Sequence, residues 1–425
     1  MTYGLIGETL KHSYSKEIHE SLANYQYDLI PLNKEEFHTF MKNRSFTAIN
    51  VTIPYKKAVI PYLDVIDDHA KQIGAVNTIV HKDDKLYGYN TDYYGFLYMI
   101  QKHHVTIEHK KVIILGSGGA CNACYAVIHD LKPKELFIVG RTKKANVITY
   151  EECLEQHADI DIIINTTPVG MYPNTNASPI DLSAFKQLEY VFDVIYNPLQ
   201  TTLCLQAKDL GIPYVSGLEM LVAQAKQSVE HFLDQSLSDT CIDEIYQQLY
   251  FKHCNIVLIG MPSSGKTTIG KQIALQLHKT FIDCDEEIVK EARMSIPKIF
   301  ELEQEEGFRK REATVIQEVS KVNNAIISTG GGCILNKENM MQLQKNGILI
   351  YIDRDLDNLI TKDENRPLSS SKEKVASLYA QRLPLYKRYA DLTIENNTSI
   401  EQCISHLINV LYDTYFKKMK GRDYV

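Results

Sequence analysis

Gly260-x-x-x-x-Gly265-Lys266-Thr267 is the stretch of this 425-residue chain whose chemistry is most explicit. A loop of this spacing lets backbone N–H groups converge on phosphate oxygens, with the lysine reaching the β- and γ-phosphates and the threonine hydroxyl able to hold Mg2+. Ser263, Ser264 and Thr268 fall on the same phosphate track. Asp283 and Asp285 follow at the end of an apolar run. A carboxylate there can cap a helix, or serve Mg2+ and an acceptor hydroxyl; near such a loop the second role is the stronger expectation. A second glycine cluster, Gly116-Ser117-Gly118-Gly119-Ala120, is a variant dinucleotide loop, evenly balanced as a pattern between a cofactor site and a tight turn. Arg141, Thr142 and Lys143 stand about where a dinucleotide fold reads the adenosine ribose. An arginine with lysines suits the extra phosphate of NADP, where NAD binders place an acid. Ser13 and Ser15 could present two hydroxyls to a carboxylate at a helix start, though alone they are more simply caps, and a lone Lys56 is most simply a solvated lysine and a lone Asp92 a helix cap.

These residues need strands and helices to hold them. The apolar runs 256–259 and Lys111–Leu115 read as buried strands feeding the two glycine loops, each followed by a helix-like pattern. Further strands are expected at Tyr3–Gly7, 46–54, 135–139, 161–165, 191–194, 281–285 and Ala325–Ser328, the two carboxylates of 281–285 lying on one side by alternation. Repeated strand–helix units imply a doubly wound parallel sheet with its ligand at the carboxyl ends of the strands. At this length two or three domains are expected. Hydrophobic residues make up 44% and charged residues 23%, ordinary values for a soluble globular chain, and the net charge of −7 gives no basis for a nucleic-acid partner. No apolar run approaches membrane-spanning length, and the start lacks signal-peptide features, so the expected address is cytoplasmic and no membrane partner is expected. The nine cysteines are scattered; Cys121-x-x-Cys124 has no second pair and is expected to be packing rather than metal or redox chemistry.

Ser13-x-Ser15, Asn50-Val51-Thr52-Ile53-Pro54-Tyr55-Lys56, Gly74-Ala75-Val76-Asn77-Thr78 and Asn90-Thr91-Asp92 occur in order. Later come the glycine cluster, Arg141-Thr142, Tyr196-Asn197-Pro198 and Gly217-Leu218-Glu219-Met220-Leu221-x-x-Gln224. This set resembles shikimate dehydrogenase. The resemblance implies that Ser13 and Ser15 bind the substrate carboxylate and that Thr52 and Asn77 hold ring substituents. It makes Lys56 and Asp92 the catalytic pair, whether Lys56 is itself the acid or an electrostatic partner. Tyr196 and Gln224 would touch substrate, and Gly217 and Met220 would border the nicotinamide. Gly140 stands where the family usually has Asn.

The remainder resembles shikimate kinase. The carrying residues are the loop 260–267, Asp283-x-Asp285, Gly307-Phe308-Arg309, Gly330-Gly331-Gly332, Arg366-Pro367-Leu368 and Arg382-x-Pro384-x-Tyr386. By that resemblance Asp285 meets the acceptor hydroxyls, and Asp283 with Thr267 holds Mg2+. Arg309 and Arg382 bind the shikimate carboxylate, the Gly331–Gly332 backbone approaches the ring, and Arg366 meets the transferring phosphoryl group from a lid. This copy has a short lid at 368–374, with Ser369 where Leu is common and Lys362 where an adenine-packing arginine is usual.

The expected architecture is α/β throughout: a substrate domain (1–95 plus 217–252), a Rossmann-like NADP domain (96–216) and a P-loop domain like the nucleoside monophosphate kinases with a parallel sheet (253–425). The expected function is bifunctional: NADPH-dependent reduction of 3-dehydroshikimate to shikimate, then phosphorylation of shikimate by ATP with Mg2+. The competing readings are a preference for quinate in the first domain, a nucleotide switch without turnover, and a shikimate-sensing, kinase-dead second domain. A homodimer stays open.

Overall fold

Continuous apolar runs become the central strands, because parallel sheets are buried on both faces. The computed structural model describes residues 2–10, 13–359 and 372–419. The chain divides into two compact units, Met1–Tyr246 and Gln247–Val425, the division falling inside the helix Thr240–His253.

The first unit holds two sheets. One comprises β1 (Tyr3–Gly7), β2 (Tyr27–Pro31), β3 (Ala48–Val51), β4 (Val65–Ile66), β5 (Thr78–Lys82) and β6 (Lys85–Tyr89), ordered β2-β1-β3-β5-β6-β4. It is mixed: β1 pairs parallel with β2 and β3, while β5 runs antiparallel to β3 and β6. Asp83 and Asp84 join β5 to β6 with φ of 52° and 58°, the signature of a two-residue type I′ hairpin.

The second sheet comprises β7 (Lys111–Leu115), β8 (Glu135–Gly140), β9 (Val147–Thr149), β10 (Ile162–Asn165), β11 (Tyr190–Asp193) and β12 (Tyr214–Val215). Its order, β12-β11-β10-β7-β8-β9, with every pairing parallel, is the doubly wound dinucleotide topology, and its switch point lies between β7 and β10. Val112 and Ile114 pack on one face with Phe96, Cys121, Cys124 and Met220, while Ile113 and Leu115 pack on the other with Val139 and Leu203. Both cysteines of the Cys-x-x-Cys pair are thus buried free thiols in a core.

Two long helices, Asp92–Lys102 and Leu218–Leu233, pack against each other and serve both sheets. Their approach is close: a Cβ on Gly95 would lie 2.7 Å from the Met220 carbonyl oxygen. At the start of the second helix a Cβ on Gly217 would lie 2.1 Å from the Val194 carbonyl oxygen, so only glycine lets it dock against the end of β11.

The second unit has one parallel sheet: β13 (Asn255–Ile259), β14 (Thr280–Asp283), β15 (Ala325–Ser328), β16 (Gly347–Asp353) and β17 (Leu392–Glu395), ordered β14-β15-β13-β16-β17. The strand expected at 281–285 is instead Thr280–Asp283. The strand stops at Asp283, whose Oδ1 accepts from the Asp285 and Glu286 N–H groups and caps the helix Cys284–Ala292, so Asp285 sits in a first helical turn. Among the described residues no helix is long and apolar enough to cross a membrane.

Candidate active sites

In the first unit, β3 ends into the loop carrying Lys56, and the turn after β6 carries Asp92 as the first residue of its helix. Lys56 Nζ donates to Asp92 Oδ2 at 2.6 Å, and Asn77 Nδ2 donates to Asp92 Oδ1 at 2.9 Å. Both carboxylate oxygens are therefore engaged, and the ammonium is held while a quarter of its side chain stays accessible. Asn77 Oδ1 accepts from the Thr91 N–H at 2.8 Å and from Thr78 Oγ1 at 3.0 Å, which fixes the amide's orientation. Gln224 enters from the second long helix, its Oε1 accepting from Thr91 Oγ1 at 3.2 Å. The structure thus brings Lys56, Asn77, Asp92 and Gln224 into one network.

Ser13 and Ser15 sit at the start of the helix Ser15–Leu22, where the Ser15 N–H donates to Ser13 Oγ at 3.2 Å. Tyr14 between them packs on Tyr196, ring centroids 5.3 Å apart, and burial followed by that neighbour pushes its phenol up to about 12. Thr52 lies beside β1, its methyl where a Cβ on Gly7 would fall 2.6 Å away; no side-chain hydrogen bond joins it to the Lys56 network among the described residues. Beneath this network lie Tyr25, Tyr27 and His19, which no motif announces. Tyr27 OH donates to Asn50 Oδ1 at 2.7 Å, and His19 stacks on Tyr27 with Nδ1 2.8 Å from Tyr25 OH.

Burial pushes the His19 imidazole down to about 3. Its folded value lies below its unfolded value near 6.5, so the neutral ring's contribution is complete above that pH and is lost as pH falls toward 3. Between pH 7 and 5 this site alone is expected to cost the unit about 2 kcal/mol of stability. Urea midpoints of wild type and His19→Phe at the two pH values check this, the variant showing the smaller drop.

The dinucleotide loop follows β7. Gly116 has φ of 98°, and a Cβ there would meet Thr167 Cγ2 at 2.9 Å, whereas Gly118 and Gly119 face open space within 4 Å at the start of the helix Gly119–Asp130. Ser117 is exposed and Ala120 half-buried. That is a cradle at a helix N-terminus on the switch point, which fits a pyrophosphate. Arg141 and Thr142 are exposed beyond β8, Arg141 with no acidic partner among the described residues, while Lys143 pairs with Glu152. Met220 is 7% exposed and packs with Phe96 in the core, and Gly217 is buried. At the carboxyl ends of β10 and β11, Asp193 accepts from Asn165 Nδ2, the Ile195 N–H and Thr201 Oγ1, and burial pushes it up to about 6.

In the second unit the phosphate loop bends through Gly260 (φ 151°), Ser263 (φ 66°) and Gly265 (φ 96°). Side chains on Gly260 and Gly265 would strike the Ile352 carbonyl and the Asn396 amide at 2.7 and 2.6 Å. Asn396 Nδ2 donates to the Ser264 carbonyl, and Ser264 is buried while Thr268 is exposed. Lys266 Nζ donates to the Gly260 and Met261 carbonyls at 2.9 and 2.8 Å. Thr267 Oγ1 donates to Asp283 Oδ2 at 2.7 Å. This hydroxyl–carboxylate pair is a hard-oxygen set that fits Mg2+, which takes one or two carboxylates and completes its shell with phosphate and water. No group of three metal-ligating side chains occurs among the described residues.

One cavity runs from this loop to two arginines and a triple glycine: Lys266, Thr267, Asp283, Asp285, Arg309, Gly331, Gly332 and Arg382 all border it. The triple glycine is closely pressed, at Gly331 by the rigid ring of Pro262 and at its two neighbours by the ends of side chains. A Cβ on Gly332 would lie 2.3 Å from Arg309 Nη2, one on Gly331 2.7 Å from Pro262 Cδ, and one on Gly330 3.0 Å from Asp285 Oδ1. Arg382 donates from Nη1 to the Gly331 carbonyl at 3.1 Å; burial, with Arg309 nearby, lowers its pKa. Two guanidiniums facing one pocket suit a carboxylate. Glu312 closes the stretch Gly307-Phe308-Arg309-x-x-Glu312, to which the sequence reading gives no role for the acid. It is 1% exposed, accepts from Arg309 Nη1 at 2.8 Å, and burial raises its pKa; the signal was an acid three residues after Arg309 on one helix. Arg366, Lys362 and Ser369 lie outside the described residues.

Two family models match the chain: the shikimate dehydrogenase substrate binding domain over residues 5–79, and shikimate kinase over residues 262–412. The NADP(+)-dependent shikimate dehydrogenase of Clostridium perfringens is 38% identical over 265 residues, which cover 58% of this chain and 97% of that protein. Among solved structures, a chorismate mutase/shikimate 5-dehydrogenase fusion protein from Clostridium acetobutylicum is 37% identical, with TM-score 0.55 over 58% of this chain and 96% of that one. Shikimate 5-dehydrogenase of Thermus thermophilus, in complex with NADP(H) and shikimate, is 26% identical, with TM-score 0.53 over 58% of this chain and 99% of that one. The chain belongs to the shikimate dehydrogenase family and carries a shikimate kinase domain behind it, a fusion that makes it a bifunctional shikimate-pathway enzyme with NADP-dependent dehydrogenase and kinase parts.

Proposed function

We propose that the first unit reduces 3-dehydroshikimate to shikimate and that the second phosphorylates shikimate on its 3-hydroxyl. The observation that carries the pairing is the cavity of the second unit, where Lys266 and Thr267 of the phosphate loop share one space with Asp285, Arg309 and Arg382. A phosphate donor and an anionic, hydroxylated acceptor both find their partners there.

In the first site NADPH, when bound, supplies the hydride. Lys56 Nζ, pinned by Asp92, directs an N–H toward the carbonyl oxygen and stabilises the alkoxide that develops there. Asp92 keeps the ammonium in place and accepts from a ring hydroxyl, and Asn77 and Gln224 orient the ring. Ser13 and Ser15 offer hydroxyls to its carboxylate. In the second site ATP supplies the phosphoryl group, and Thr267 and Asp283 would hold a Mg2+ that would screen its charge. Arg309 and Arg382 clamp the acceptor carboxylate, Asp285 accepts from the attacking hydroxyl, and Lys266 neutralises charge on the transferring group.

Assays of the purified chain with shikimate and NADP+, and separately with shikimate, ATP and Mg2+, test both halves. NADPH and ADP formation are expected, with quinate and NAD+ poorer. Shikimate binding without ADP formation would mark the second unit as a sensor instead. Arg141→Ala is expected to raise the KM for NADPH about tenfold while leaving that for NADH within about twofold, since a charge-assisted contact to the extra phosphate is lost. Equal changes for both cofactors would count against Arg141.

A further inference from the structure

We propose that Ser228 is a positioning residue of the dehydrogenase site, holding Asn77 and Gln224 in the orientation that receives the substrate ring. This assignment rests on the dehydrogenase reading above. Ser228 lies on the helix Leu218–Leu233, one turn beyond Gln224, and is fully buried. Its Oγ stands 2.9 Å from Asn50 Nδ2, 2.9 Å from Thr78 Oγ1, 3.1 Å from Thr91 Oγ1 and 3.1 Å from the Gln224 carbonyl.

A hydroxyl has one proton and two acceptor sites, so four neighbours over-subscribe it, and the hydrogen-bond directions around it are constrained. With its proton on the Gln224 carbonyl, Ser228 accepts from Asn50 Nδ2 and from a threonine hydroxyl. Thr78 Oγ1 is then best used toward Asn77 Oδ1, and Thr91 Oγ1 is divided between Ser228 and Gln224 Oε1. The Asn77 oxygen is saturated from this side, which turns its Nδ2 toward Asp92 Oδ1. Ser228 therefore acts on both amides through the two threonines and the Gln224 carbonyl, and reaches Lys56 only at third hand, through Asn77 and Asp92.

Its placement adds a second role. The helix that carries it starts against β11 at Gly217 and packs Met220 into the core of the dinucleotide sheet, so Ser228 is where that helix is fastened by hydrogen bonds to β3 and β5 of the substrate sheet. Loosening this point disturbs the substrate end more than the dinucleotide loop after β7, which Ser228 does not touch.

Ser228→Ala removes the hydroxyl, and Ser228→Cys keeps most of the volume with a much weaker hydrogen-bonding group. With shikimate and NADP+, both variants are expected to raise the KM for shikimate about tenfold while the KM for NADP+ stays within about twofold of wild type. Three results overturn the proposal: an unchanged shikimate KM in Ser228→Ala, wild-type kinetics in Ser228→Cys (packing alone), or parallel rises in both KM values with a fall in thermal midpoint (a purely structural role). If the wild-type chain does not oxidise shikimate in the same assay, the dehydrogenase reading itself fails and the assignment of Ser228 falls with it.

Discussion

Lys56→Ala is expected to lower kcat/KM for 3-dehydroshikimate by roughly 10³-fold, within the span that a positioned proton donor contributes. In the proposed mechanism the ammonium serves the new alkoxide, and it is held 2.6 Å from Asp92. Its removal leaves Asp92 still bonded to Asn77 Nδ2 and partly open to solvent, so the loss falls on chemistry rather than folding. Phosphorylation of added shikimate should be unchanged, because every residue bordering the kinase cavity belongs to the other compact unit. Steady-state kinetics of the two reactions on one preparation check both halves of this expectation. A variant with more than about a tenth of wild-type reduction would remove Lys56 from the chemistry.

Lys266→Ala is expected to do the converse, lowering phosphoryl transfer by roughly 10²- to 10³-fold, the typical loss of one preorganised donor at developing charge. The Lys266 ammonium is nearly buried and is gathered into the loop by the Gly260 and Met261 carbonyls. The dehydrogenase reaction should keep its wild-type rate. ADP release with shikimate measures the loss, and a kinase that tolerates Lys266→Ala would mean the loop does not act as a phosphate cradle.

Much of this was legible in the sequence for a physical reason. Strands such as β7, β10 and β13 are buried on both faces and show as unbroken apolar runs, and the loops after β7 and β13 open on a glycine with positive φ and a close neighbour, Gly116 against Thr167 and Gly260 against the Ile352 carbonyl. What misled was short-range ambiguity: an i, i+2 pair of carboxylates fits both a strand face and a helix cap, and the structure makes Asp283 the cap. The resemblance makes Gly331 and Gly332 a close approach to the substrate ring, whereas what the sequence could not show is that Arg309 and Pro262 of the chain itself press on them. Ser228 was illegible because its partners Asn50 and Thr78 are 178 and 150 residues away, and no local pattern encodes a contact of that range.

The most direct test supplies the intact chain with 3-dehydroshikimate, NADPH, ATP and Mg2+, adds no shikimate, and follows NADPH consumption and ADP formation together. The account expects NADPH loss at once and ADP after a lag, with ADP formation abolished when NADPH is left out. NADPH consumption without ADP, or ADP formation that does not depend on NADPH, would contradict it.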